Sequence, residues 1–260
     1  MSFSNNHQTG QGQPLVSIIT PSYNSSRFIK ESIDSVRNQT YENWEMIIVD
    51  DCSTDNSQEI IQEMMKIEPR IRFVSTEVNS GAARARNIAL GMAKGKYVAF
   101  LDSDDLWMPD KLEKQVSYMQ EHDVAFTFTK YMVIDQNGHD KHKVINIPSK
   151  IDYKGLLKNT IIGCLTVMLD IEKIGPVRMP EIRTRQDFAL WLSILKKGYV
   201  AYGIPEVLAK YRVVKGSISS NKLKVAKRNW EIYRRIENLS FFYAAWCFLN
   251  YVFHAVKKRI

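Results

Sequence analysis

Cysteine is scarce and scattered. Cys52, Cys164 and Cys247 are the three in 260 residues, an odd number without the paired spacing of a disulfide framework or a zinc site. That points to a reducing, cytoplasmic setting. Glycine-rich nucleotide signatures are missing too. There is no Walker loop, no Gly-x-Gly-x-x-Gly and no Gly-x-Ser-x-Gly elbow, which removes P-loop, dinucleotide and serine-hydrolase readings. The start, "MSFSNNHQTGQGQ", has no apolar core of a secretory signal and reads as a loose tail over 1–13. No internal repeat and no linker rich in Pro, Gly or Ser divides the chain. Residues 215–260 hold ten Lys/Arg against two Glu, the entire net charge of +8. The body is therefore balanced, and a basic nucleic-acid footprint over it is not expected.

What is present is a strict alternation. "LVSIIT" (15–20), "WEMIIVDD" (44–51), "IRFVST" (71–76) and "YVAFLDSDD" read as strands. Each is separated from the next by a segment of helical periodicity. Near-continuous apolar strands alternating with helices make a parallel sheet covered on both faces. Right-handed crossovers then give a doubly wound order of 3-2-1-4. After residue 105 the alternation breaks. A helix over "MPDKLEKQVSYMQEH" precedes strands in "DVAFTFTKYMVIDQNG", "LTVMLD" (165–170) and "VLAKYRV" (207–213), with an amphipathic helix "RQDFALWLSILKKG" between the last two. The predicted class is α/β, a mostly parallel Rossmann-like sheet with a C-terminal helical extension.

In such sheets ligands bind beyond the carboxyl ends of the strands, at the switch point. Asp50 and Asp51 end the second strand; Asp102, Asp104 and Asp105 end the fourth. Carboxylates this crowded repel one another unless a cation sits among them. Asp102 and Asp104 suit one hard divalent cation, Mg or Mn, which commonly holds substrate phosphates as well. The bland alternative is a solvated acidic turn capping the next helix. Asp50 and Asp51 can accept from a base N–H or a ribose hydroxyl, or cap the helix near Ser53. Arg84 and Arg86 begin a helix behind Gly81, a setting that suits phosphate; for Arg86 a solvated basic face is the better reading. Asp187, at a helix start among apolar residues, is either a general base or a carboxylate favoured by the helix dipole. His139 and His142 lie in a charged turn and read as solvated.

The stretch "PLVSIITPSYNSSRFIKESIDSVRNQTYENWEMIIVDDCSTDNS", then "NSGAARARNIALGMAKGKYVAFLDSDDLWMPDKL", then "RQDFALWLSILKKG" resembles the family 2 inverting glycosyltransferases of the GT-A fold. The likeness is greatest to those that build bacterial surface polysaccharides, and it covers about 14–215. It implies a nucleotide-binding half at 14–105, an acceptor half at 106–215 and an extension at 216–260. It further implies that Pro21, Tyr23, Asp50, Asp51 and Ser103 hold the nucleotide, that Arg84 lies near its diphosphate, and that Asp102 and Asp104 bind the metal. Asp187 falls on the general base. The implied donor is a nucleoside-diphosphate sugar, UDP by preference, and the implied acceptor a glycan or lipid-linked hydroxyl. Two positions depart from the pattern: Cys52 stands where Gly is common, and Gln186 where Glu is common. A receiver or phosphatase, which also gathers Asp around magnesium, fits the fourth-strand "DSDD" and the Asp187 helix poorly. A nucleotide-sugar-binding subunit without activity is opposed by the intact Asp51, Asp104 and Asp187.

The aromatic run 241–256, followed by "KKRI", is about 24 Å long as a helix, short of the ~30 Å hydrocarbon core. It is expected to lie on an anionic membrane face, on the inner side of the cytoplasmic membrane. The alternative is a helix packed on the domain or on a second copy in a homo-oligomer.

Overall fold

A computed structural model describes residues 12–214 and 222–257. Most of the expected tail, the 215/216 boundary and the closing "KRI" lie outside the described residues. Strands β1 (Val16–Ser22) and β2 (Trp44–Asp50) are buried at every position, as both-face coverage of a parallel sheet requires. β3 (Ile71–Ser75) and β4 (Tyr97–Phe100) flank them, giving the expected order β3-β2-β1-β4. Helices α1 (Ile29–Arg37), α2 (Ser57–Ile67) and α3 (Ala82–Met92) make the crossovers. Gly95 lies three residues beyond the end of α3. It is glycine because a Cβ there would fall 2.6 Å from the Leu15 carbonyl oxygen.

The second half extends the same sheet. β5 (Leu106–Trp107) and α4 (Lys111–Glu121) lead into β6 (Phe126–Ile134), β7 (Asp140–Ile145) and β8 (Lys150–Ile151). Then come α5 (Tyr153–Lys158), one 3₁₀ turn (Cys164–Thr166), β9 (Met168–Asp170), α6 (Ile171–Ile174), α7 (Gln186–Lys196) and β10 (Ala201–Arg212). β9 joins β4 antiparallel, and the sheet continues β9-β6-β10-β5. β7 and β8 pair with β6 and β10 off this path. The expected strand at 165–170 is therefore shorter, its first half spent in the 3₁₀ turn, and the one expected at 207–213 begins six residues earlier. α7 stops at Lys196, and Gly198 just beyond it takes φ +98°, as a C-terminal glycine does.

The two faces of the sheet carry separate apolar cores. One is built around Ile18, Ile48 and Trp44 under α1, α2 and α4. The other centres on Phe100, Phe126 and Trp191 under α3, α5 and α7. The extension consists of α8 (Lys222–Glu231), a π-helical turn (Ile232–Ile236) and α9 (Phe241–Lys257). Ala244 and Cys247 of α9 are fully buried in the second core, so one face of this helix packs on the domain. Phe242, Trp246, Leu249 and Phe253 stand outward, each more than half exposed. Among the described residues no helix is long and apolar enough to cross a membrane.

Candidate active site

The site begins where the sheet parts. β1 and β4 pair as far as Ile19 opposite Phe100, and the Leu101 amide still donates to the Ile19 carbonyl at 3.1 Å. Beyond that, β1 runs on beside β2 to the pair Ser22–Asp50, while the chain after β4 turns into Asp102. Pro21, with no N–H to leave unpaired, occupies this free end. Tyr23 follows, half exposed, a ring open to stacking.

Asp50 and Asp51 take different tasks. Asp50 is wholly buried and accepts from Ser22 Oγ (3.1 Å), Ser53 N (2.8 Å), Ser53 Oγ (2.5 Å) and Gln58 Nε2 (3.0 Å). It anchors its own loop. Asp51 reaches the opposite way, accepting from Ser80 N (2.8 Å), Gly81 N (2.6 Å) and Thr76 Oγ1 (3.3 Å). It pins the loop ahead of α3, where Gly81 takes φ +91°. Cys52 between these loops has φ +63°, the left-handed region that glycine enters freely. The departure from Gly thus keeps the turn at a cost in strain.

The "DSDD" turn is held from behind by β10. The Arg212 amide donates to Asp105 Oδ1 (2.8 Å), and its Nε donates to the Asp104 carbonyl (2.8 Å). Its Nη2 pairs with Glu31 (2.6 Å), and the guanidinium lies 5.0 Å from the Phe28 ring centre. Asp105, 1% exposed, is therefore a structural anchor. Burial, then Asp104 and Asp102, push its carboxyl well above the usual range. Asp102 and Asp104 are left partly exposed. Asp102 pairs with Arg86. The Asp104 carboxylate has no bond to any other described residue, and burial followed by the nearby Asp102 charge raises its pKa to about 6. Ser103 sits partly exposed between them.

Arg86 corrects the expectation of a solvated face. It is 5% exposed. Burial opposes its charge, but Asp102, Cys164 and Asp187 more than offset this and hold the guanidinium above its ordinary value. The helical phase explains the placement: Ala83 and Ala89, three residues to either side, are buried with it. Arg84 faces solvent, free of any ion pair among the described residues.

Asp187 lies in the first turn of α7, partly buried, without a hydrogen bond or ion pair to any described residue. It does not cap the helix. It shares surroundings with the acidic turn, because Asp102, Asp187 and Asp105 all act on the Cys164 thiol. Burial first, and then these carboxylates, push that thiol up against the opposing pull of Arg86. Cys164 is thus a protonated lining group and no nucleophile. His139 and His142 are exposed on β7 and its turn, as expected.

Among the described residues no group of three or more His, Cys, Asp or Glu could hold a metal alone. Asp102 and Asp104 supply two carboxylates, which suits a hard cation that takes its remaining ligands from a substrate diphosphate and water.

Residues 17–171 match the family model described as Glycosyl transferase family 2. The chain belongs to that family. Among similar proteins is TuaG of Bacillus subtilis, named a teichuronic acid biosynthesis glycosyltransferase, 57% identical over 95% of this chain and 98% of its own length. Another is WfgD of Escherichia coli, named UDP-Glc:alpha-D-GlcNAc-diphosphoundecaprenol beta-1,3-glucosyltransferase, 43% identical over 94% and 95%. Of solved structures, the Pyrobaculum calidifontis mannosyltransferase PcManGT with GDP-Man and Mn2+ aligns with TM-score 0.68 and 21% identity, over 88% of this chain and 66% of that one. The S. aureus TarS fragment 1-349 with UDP aligns with TM-score 0.65 and 21% identity, over 85% of this chain and 65% of that one. At this identity the likeness shows the fold, which is GT-A as expected.

Sequence reasoning misread one arginine beside the acidic turn of this glycosyltransferase, Arg86, and missed another, Arg212. Arg86 pairs with Asp102 of the turn, while Arg212 hydrogen-bonds the turn and pairs with Glu31. For Arg86 the signal was its register with Ala83 and Ala89. For Arg212 there was none: it shares its strand with Lys210, and only the fold shows which of the two cations turns inward, Arg212 being 2% exposed.

Proposed function

We propose that this glycosyltransferase moves a sugar from a nucleoside-diphosphate sugar, UDP-linked by preference, to a hydroxyl of a lipid-diphosphate-linked glycan in bacterial surface-polysaccharide synthesis. It does so in one displacement that inverts the anomeric centre. The observation that carries the reading is Asp187: a partly buried carboxylate with no partner among the described residues, sharing Arg86 and Cys164 with the acidic turn. The names of TuaG and WfgD support the pathway. Neighbours holding UDP and GDP-Man support the donor class.

In this reading residues 14–105 bind the nucleotide and 106–215 the acceptor. Tyr23 stacks on the base while Pro21 and Asp51 border it, Asp50 keeping their loop in place. Ser103 and Arg84 flank the diphosphate. A divalent cation, Mn or Mg, held by Asp104 with Asp102, would neutralise charge on the leaving diphosphate. Arg86 pairs with Asp102, and Arg212 fixes the turn that carries both carboxylates. Asp187 takes the proton of the acceptor hydroxyl; the oxygen forms the new bond to the anomeric carbon as the bond to the diphosphate breaks on the other side. No covalent enzyme intermediate is required.

The outward face of α9, with exposed Lys227, Arg234 and Arg235 on the same extension, suits peripheral contact with an anionic membrane. That would bring the cleft to a lipid-linked acceptor from the cytoplasmic side. Titration calorimetry with UDP, GDP and ADP, each with and without manganese, tests the donor assignment. Metal-dependent binding of UDP above the others is expected. Metal-independent binding of all three, or of none, would contradict it.

A further inference from the structure

Arg185 stands directly before α7 with φ +67°, a left-handed conformation that costs a non-glycine residue roughly 1 kcal/mol or more. Its contacts show what holds it there. Nε donates to Asn229 Oδ1 (2.8 Å) and Nη2 to Thr160 Oγ1 (3.1 Å). The guanidinium lies 5.4 Å from the Phe188 ring centre and 6.0 Å from that of Tyr251. Asn229 and Tyr251 belong to α8 and α9, in the extension and well beyond the family match.

Asn229 is wholly buried, and its Nδ2 has no hydrogen-bond partner among the described residues. A buried amide with an idle donor is costly; its oxygen is engaged by Arg185. One turn on, the fully buried Tyr233 meets Phe188 edge-on at 6.3 Å and donates to the Leu157 carbonyl at 2.6 Å. At the far end of α7, Lys196 pairs with Glu237 at 3.0 Å. The extension therefore grips α7 at both ends; at the first turn it holds Arg185, two residues before Asp187, and Phe188, the residue after it.

We infer that the C-terminal extension is part of the catalytic apparatus, with Arg185 as a positioning residue that sets the start of α7 through Asn229 and so aims Asp187. This rests on reading Asp187 as the base. A reacting group displaced by about 1 Å loses on the order of 10²-fold in rate, so a lost tether at the helix start is felt in turnover before it is felt in binding.

The test is steady-state transfer by the full chain, with manganese-dependent UDP affinity and melting temperature measured alongside. Asn229→Ala and Arg185→Met should each lower kcat by about tenfold or more, while donor KM, UDP affinity and the folded fraction stay near wild type. Asn229→Asp retains the acceptor oxygen and should keep kcat within about threefold of wild type. The inference is overturned if Asn229→Ala turns over within twofold of wild type. It is also overturned if its kcat loss is matched by lost UDP binding, or if Asn229→Asp is as impaired as Asn229→Ala. Asp187→Asn separates the two claims. An active Asp187→Asn beside a slow Asn229→Ala removes the base assignment and leaves the tether. An inactive Asp187→Asn beside a normal Asn229→Ala does the reverse.

Discussion

Asp104→Asn should make the metal-free protein more stable and the enzyme useless. Among the described residues Asp104 has no side-chain partner beyond its own turn, and burial with the nearby Asp102 raises its pKa to about 6 from 3.8. At ~1.4 kcal/mol per unit, that shift of about two units caps the cost of ionising the group in the fold at roughly 3 kcal/mol. Partial exposure and relaxation of the turn reduce this to about 1–3 kcal/mol. The folded protein holds this proton more tightly than the unfolded chain. Its contribution to stability is therefore full below about pH 4 and lost as pH rises through 6. The neutral amide of Asp104→Asn never ionises, so the variant should lack that decline. Its midpoint at pH 7 in chelator should be higher by roughly 2–8 °C. Adding manganese and UDP should raise the wild-type midpoint strongly, because ligand binds only the folded state, and the variant's hardly at all. Melting curves from pH 4.5 to 8, with and without metal and nucleotide, read all of this. A variant less stable than wild type in chelator, or one stabilised by manganese and UDP as wild type is, would refute the reasoning.

Cys52→Gly relieves a left-handed residue at φ +63° and should stabilise the protein by roughly 0.5–1 kcal/mol with transfer unchanged; denaturant unfolding checks the gain. Arg212→Met strips the acidic turn of its buried cation and should cost about 3–5 kcal/mol, with metal-dependent UDP binding lost in whatever fraction stays folded. Replacing Trp246 and Phe253 together by Glu should abolish sedimentation with anionic vesicles while leaving the melting temperature within about 2 °C, because both side chains point outward. Retained vesicle binding would place the contact elsewhere.

The first half of the fold was legible because parallel strands covered on both faces must be continuous apolar runs, and β1, β2 and β4 are. The crossover rule then fixed the order β3-β2-β1-β4. The second half resisted for physical reasons. β5 and β8 are two residues long, too short to carry a period. β7, "DKHKVI", is largely exposed and pairs only with β6, so it has no apolar face to betray it. In the site, the carboxylates Asp102, Asp104 and Asp187 could be found because their crowding or apolar neighbours are visible along the chain. Their cationic counterparts could not. Arg86 reaches Asp102 from a different helix, Arg212 reaches the turn from more than a hundred residues away, and the Arg185–Asn229 tether joins segments with no local pattern in common. Long-range compensation of charge leaves little trace in local periodicity.

The central claim is that Asp187 takes the acceptor's proton in a single inverting displacement. The measurement is transfer by Asp187→Asn from UDP-sugar to a lipid-diphosphate-linked acceptor, with the product's anomeric configuration read by proton NMR for the wild type. The account predicts a β-linked product from an α-linked donor. It also predicts a variant that folds and binds UDP with manganese as wild type does, yet transfers at least about 10²-fold more slowly. A retained α linkage, or a variant that keeps most of its rate, would contradict it.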